Sequence, residues 1–109
     1  MNWNKTLIMR WHREALPNCD VGSQRLKLSN ECEEFYWAGS LKDKLEEIAD
    51  VYIVAAVLWT RYHDYAGRFV LERIERSKDW VKIAEAVDAK MDINATRTFK
   101  KIGGEWRHV

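Results

Sequence analysis

The nine residues from Val51 to Trp59 (VYIVAAVLW) leave no polar face over more than two helical turns. A helix that is apolar all round must be covered on every side. A chain of 109 residues is one domain in size and has few elements with which to do so. The run therefore predicts a central helix and points to a partner subunit that completes its cover. Six tryptophans and an apolar or aromatic share of 47% point the same way, because they are rich for so small a core. The run is also far shorter than the roughly 20 residues that cross a bilayer.

The punctuation around this helix is helical too. A first helix is expected from about Trp3 to Ala15, stopped by Pro17. Ser23 is placed to cap a second helix reaching Ala38, and Gly39-Ser40 breaks it. Ser40 and Asp43 resemble a capping box opening a third helix that runs to about Tyr62. After a turn at Tyr65 to Gly67, a fourth helix covers Arg68 to Arg76. Ser77 then caps a fifth that runs towards Lys100 and ends at Gly103-Gly104. No convincing alternating strand pattern, repeat or linker interrupts the series. The expected fold is all-α, a single helical-bundle domain over residues 1–109 completed by oligomerisation.

Charge excludes some partners. Eighteen basic residues stand against 17 acidic ones, so no basic excess advertises nucleic acid. Cys19 and Cys32 form no metal-ligand pattern, and no signal-like apolar stretch opens the chain. Free thiols, a cytoplasmic location, no membrane and no direct nucleic-acid binding are expected.

Two short acidic motifs carry the chemistry. Glu31 and Glu34 (ExxE) lie on the second helix, and Glu47 and Asp50 (ExxD) on the third. Residues three apart share one helical face. In a hairpin turning between Ser40 and Leu41, Glu31 is as far from the turn as Asp50, and Glu34 as far as Glu47. The four carboxylates should face one another as two rungs. Converging anions repel, and a hard divalent cation with oxygen ligands is the natural remedy. Glu72/Glu75 and Glu85/Asp88 repeat the spacings but sit among Arg68, Arg76, Lys78 and Lys82, as solvated faces laced with i,i+4 ion pairs. Glu31 instead lies in line with Leu28, Phe35 and Ala38, and Glu47 and Asp50 run into Val51, Val54 and Leu58. Those acids interrupt faces that are otherwise core. On the last helix, Lys90, Asn94, Arg97 and Lys101 form one polar stripe, a set of groups suited to gripping phosphate oxygens.

At these residues the chain resembles the MazG-like all-α nucleoside triphosphate pyrophosphohydrolase superfamily, which includes dimeric dUTPases and phosphoribosyl-ATP pyrophosphohydrolases. The resemblance rests on Glu31-x2-Glu34, twelve residues, Glu47-x2-Asp50, the stretch LEEIADV from Leu45, and Lys90-x3-Asn94-x2-Arg97. The closing segment from Arg97 to Val109 resembles small phage-encoded members. Asn30 stands where relatives often carry a further glutamate, and Glu33 is an extra acid between the matched positions.

The resemblance implies a MazG-like bundle, a homodimer or homotetramer, and cleavage of a (deoxy)nucleoside triphosphate between its α- and β-phosphates. It implies Mg2+, with Mn2+ as substitute, on Glu31, Glu34, Glu47 and Asp50. Lys90, Asn94 and Arg97 would hold the phosphates. Glu34 or Glu31 would act as general base, with Glu33 a rival. Trp11, His12 and Trp37 are candidates to receive the base, against the plainer reading of core or interface aromatics. A di-iron bundle needs two ExxH motifs, and the solitary Glu105-x2-His108 lies off the core helices. The remaining alternative is a non-catalytic dimerisation or regulatory module with a structural metal or a buried ion-pair network.

Overall fold

The computed structural model describes residues 2–97, 99–102 and 105–108, with side chains over 2–97. Five helices form the body: α1 (Lys5–Ala15), α2 (Val21–Trp37), α3 (Leu41–Tyr62), α4 (Tyr65–Glu75) and α5 (Trp80–Asn94). Two short strands, β1 (Phe99–Ile102) and β2 (Glu105–His108), pair antiparallel, with Phe99 opposite His108 and Ile102 opposite Glu105. Strand β2 lies against α2.

Local chemistry sets the helix starts. Asn4 accepts a hydrogen bond from the Leu7 amide at 2.9 Å, Asp20 from Ser23 at 2.7 Å, and Ser40 from Asp43 at 3.0 Å. Ser23 is thus not the cap of α2 but a buried residue of its first turn, because the earlier Asp20 claims the amide. Helix α4 starts three residues before the expected Arg68, capped by Asp64 on the Ala66 amide at 2.9 Å. Gly67, which reads as a turn residue, is instead where α4 crosses α3. A Cβ there would lie 2.6 Å from Leu58 Cβ and 2.7 Å from the Ala55 carbonyl oxygen. Ser77 does not cap α5 directly: its hydroxyl accepts from the Asp79 amide at 3.1 Å, and α5 begins after Asp79.

Helix α3 is the central rod, with α1, α2, α4 and α5 packed around it. Every residue from Val51 to Leu58 is buried, against Ile8 of α1, Leu71 and Ile74 of α4, and Ile83, Val87 and Met91 of α5. One chain therefore covers its apolar helix unaided. The expectation that this run needs a partner subunit is corrected, because four neighbouring helices suffice. Among the described residues, the large apolar side chains left exposed are Leu26, Tyr36, Trp37, Leu41, Tyr65, Phe69, Val81 and Ile93.

The last helix is the other correction. It ends at Asn94, and the segment expected to continue it to Lys100 turns through Ala95 to Arg97 and enters strand β1. The aromatic Phe99 that opens β1 suits a strand. Gly103 and Gly104 themselves lie outside the described residues. Among the described residues, no helix is long and apolar enough to cross a membrane.

Candidate metal centre and ligand cleft

The turn at Gly39 and Ser40 sends α3 back along α2, which brings the two acidic motifs together. One oxygen from each of Glu31, Glu34 and Glu47 lies within 4.8 Å of the other two. Glu31 is 5% exposed. Its Oε1 accepts from Lys27 Nζ at 2.9 Å, while its Oε2 is buried without a hydrogen-bond partner. Glu47 Oε2 is buried and unpartnered in the same way. Glu34, the most accessible of the three, stands beside both. Ionised carboxylates avoid such contact unless a proton or a cation lies between them.

Asp50 lies one turn beyond Glu47 on α3 and is held apart from that trio. Its Oδ2 is 3.4 Å from Lys90 Nζ. The sequence-predicted foursome is thus three converging carboxylates plus one paired with a lysine. Burial, then repulsion from Glu31, pushes the Asp50 carboxyl up to about 6, with Lys90 opposing. Burial also raises Glu31 and Glu47; Glu34 adds to the rise at Glu31, and Asp50 and Glu31 add to it at Glu47. Buried oxygens without donors and carboxyls driven towards neutrality mark a place short of positive charge. An all-oxygen donor set of this kind fits a hard divalent cation.

The acids with matching spacing elsewhere differ. Glu72 is bound by Arg68 at 2.8 Å and approached by Arg76 at 3.9 Å. Glu75 takes Lys5 of α1 at 3.2 Å and the Tyr52 hydroxyl at 3.0 Å. Asp88 accepts the Trp3 amide at 2.6 Å. Only the Glu72 contacts are i,i+4 pairs; the other two acids tie the N-terminal segment and α3 to their neighbours.

Beside the carboxylates opens a cleft of about 830 Å³. Glu31, Glu34 and Asp50 line it, together with Lys90, Asn94 and Arg97, so the acidic motifs and the phosphate-type stripe share one space. Asn94 ends α5, and Arg97 reaches the cleft from the bend that follows. Lys101 falls on β1, where its side chain lies outside the described residues. Glu33 lines the cleft but stands outside the carboxylate trio. Trp11, His12 and Trp37 line the same cleft. Trp37 is 74% exposed at its mouth, against Tyr36, and Trp11 and His12 have ring centroids 6.1 Å apart.

His12 is 3% exposed. Arg61, from the end of α3, brings Nη1 to 2.7 Å from its Nδ1 and donates to the carbonyls of Leu16 at 2.9 Å and Pro17 at 3.0 Å. Burial, then the Arg61 charge, lowers the imidazole to about 4, and Gln24 beside it offsets a part. The Gln24 side chain lies beside the ring, and His12 Nε2 is buried and takes part in no hydrogen bond among the described residues. Lys27 and Arg61 are site residues that sequence reasoning passed over. Lys27 carried a signal, the i,i+4 spacing to Glu31; Arg61, distant in sequence from what it holds, carried none.

Comparison with family models, with curated proteins and with solved structures returns no match.

Proposed function

We propose that the cleft binds a (deoxy)nucleoside triphosphate with a divalent cation and hydrolyses it between the α- and β-phosphates, giving nucleoside monophosphate and pyrophosphate. The observation that carries this reading is the single cleft into which the carboxylates of Glu31, Glu34 and Asp50, the Lys90-Asn94-Arg97 set and the Trp11-His12 pair all open. The MazG-like resemblance supplies the bond that is cut.

Glu31, Glu34, Glu47 and Asp50 would hold Mg2+, or Mn2+ in its place, which when bound neutralises phosphate charge and acidifies water. Lys90, Asn94 and Arg97 bind the phosphates, with Arg97 as fork and Lys90 as point charge. For that, Lys90 exchanges Asp50 for a phosphate oxygen. Glu34 takes the proton of the water that attacks the α-phosphorus. A water oxygen–phosphorus bond forms, the bridging bond to the β-phosphate breaks, and pyrophosphate leaves. Glu34 suits this role because it is exposed, whereas Lys27 already engages Glu31. The exposed Trp37 and Tyr36 provide apolar surface for a second copy of the chain, as the dimer or tetramer of this reading requires.

The test is release of pyrophosphate, not orthophosphate, from the eight common (d)NTPs with Mg2+ or Mn2+. Release from one or more is expected, and none from any would overturn the reading. The lysine contacts of Glu31 and Asp50 favour a second reading, a non-catalytic module held by an ion-pair network. Titration separates the two: an enzyme binds nucleotide more tightly with Mg2+ present, and a structural network does not.

A further inference from the structure

We propose that Arg61 is a positioning residue that fixes the tautomer of His12, leaving its Nε2–H as a neutral donor that reads a hydrogen-bond acceptor on the ligand's base. The inference rests on the nucleotide reading above and deepens it.

The tautomer follows from donor chemistry. A guanidinium has only N–H donors and no lone pair to offer. At 2.7 Å from Arg61 Nη1, His12 Nδ1 must therefore accept, and the ring proton stands on Nε2. The clamp is firm, because the same guanidinium holds the carbonyls of Leu16 and Pro17 behind α1. The nearby positive charge keeps the ring from gaining a second proton.

Among the described residues no hydrogen bond takes up the proton so fixed, although the Gln24 side chain lies beside the ring. His12 is 3% exposed, its Nε2 is unpartnered, and the residue lines the cleft. A buried N–H left unpaired destabilises a fold, and a Phe of similar volume would avoid that penalty. An acceptor arriving with a ligand relieves it. Position agrees with this role. Arg61 follows Asp50 by three turns of α3, about 16 Å of helix axis. His12 is held from the Arg61 end of α3, on the side where a base would lie if its phosphates reach the cations. A neutral donor also suits that end, since a charged imidazolium would compete with Lys90 and Arg97 for the triphosphate.

A site built to donate to one acceptor rejects a ligand that lacks it. The experiment measures kcat and KM for the eight (d)NTPs on the full chain and on His12→Phe, His12→Gln and Arg61→Gln. Analogues of the preferred nucleotide lacking one base acceptor at a time are then tested. His12→Phe should raise KM for the preferred nucleotide by about 10- to 100-fold, far more than it lowers kcat, and flatten the preference among bases. His12→Gln, whose amide reaches about as far as Nε2, should recover part of the loss. One acceptor-deleted analogue should lose the same factor on the unaltered protein and nothing on His12→Phe. In 15N NMR the unaltered protein should carry its ring proton on Nε2, and Arg61→Gln should show a mixture of tautomers, which a purely structural arginine would not produce. A proton on Nδ1, or base preference unchanged in His12→Phe, overturns this inference alone. Failure of the unaltered protein to bind any of the eight overturns it together with the nucleotide reading. If His12→Phe does not fold, the analogue series on the unaltered protein decides.

Discussion

Glu31/Glu34 on α2 and Glu72/Glu75 on α4 have the same spacing, and each pair stands one turn apart on its helix. Their surroundings make them chemical opposites. Arg68, Arg76, Lys5 and the Tyr52 hydroxyl answer the α4 acids. On α2, Lys27 answers one oxygen of Glu31, and the other is buried and unmet, as is one of Glu47 across the hairpin. Acidic spacing on a helix thus says little until the donors around it are counted.

The sharpest way to break this contrast is to delete one acid from each set. Glu47→Ala or Asp50→Ala should lower pyrophosphate release about 1,000-fold or more, while Glu72→Ala stays within about twofold. Equal losses, or retained activity in Asp50→Ala, would remove the site assignment.

Next in size is stability without metal. The folded Asp50 carboxyl is raised to about 6 from an unfolded value of 3.8, so its contribution is full below pH 3.8 and lost as pH rises to about 6. Asp50→Asn should therefore stabilise the metal-free protein by about 2 kcal/mol at pH 7, after Lys90 loses its partner, and by little below pH 4. His12 has the opposite sign. Its folded value is lowered to about 4 from 6.5, so its contribution is full above pH 6.5 and lost as pH falls to about 4. The slopes oppose between about pH 4 and 6. Denaturant melts should show each single variant steeper with pH in that window than the parent; two flat variants would contradict both assignments. The smallest effect belongs to the α4 acids: Glu72→Ala should leave Tm within about 2 °C, because its partners are exposed.

The sequence was most informative where the cause is local or periodic. The run Val51–Leu58 identified the central helix, Ser40 its cap, and the symmetric placement of two acidic pairs about that cap brought three carboxylates within 4.8 Å. It misled where a distant partner decides. The covering of α3 depended on four helices fitting around it, so composition suggested a second chain for a task one chain performs. Gly67 looked like a turn because its reason, the proximity of Leu58 and Ala55, lies on another helix. Asp50 was counted with the other acids because its lysine comes from α5. The end of α5 failed for a different reason: the pairing of β1 with β2, a contact between separate segments, competes with continuing the helix.

The burial of α3 also bears on how the centre would move. Amides of a helix enclosed on all sides exchange with solvent only when the whole domain opens, so Val51 to Leu58 should be the slowest-exchanging segment. Glu47 and Asp50 stand at the edge of that rigid rod, while Glu34 stands on an exposed stretch of α2. The centre then has a fixed jaw and a yielding one, and any adjustment to the size of an arriving ion falls to α2.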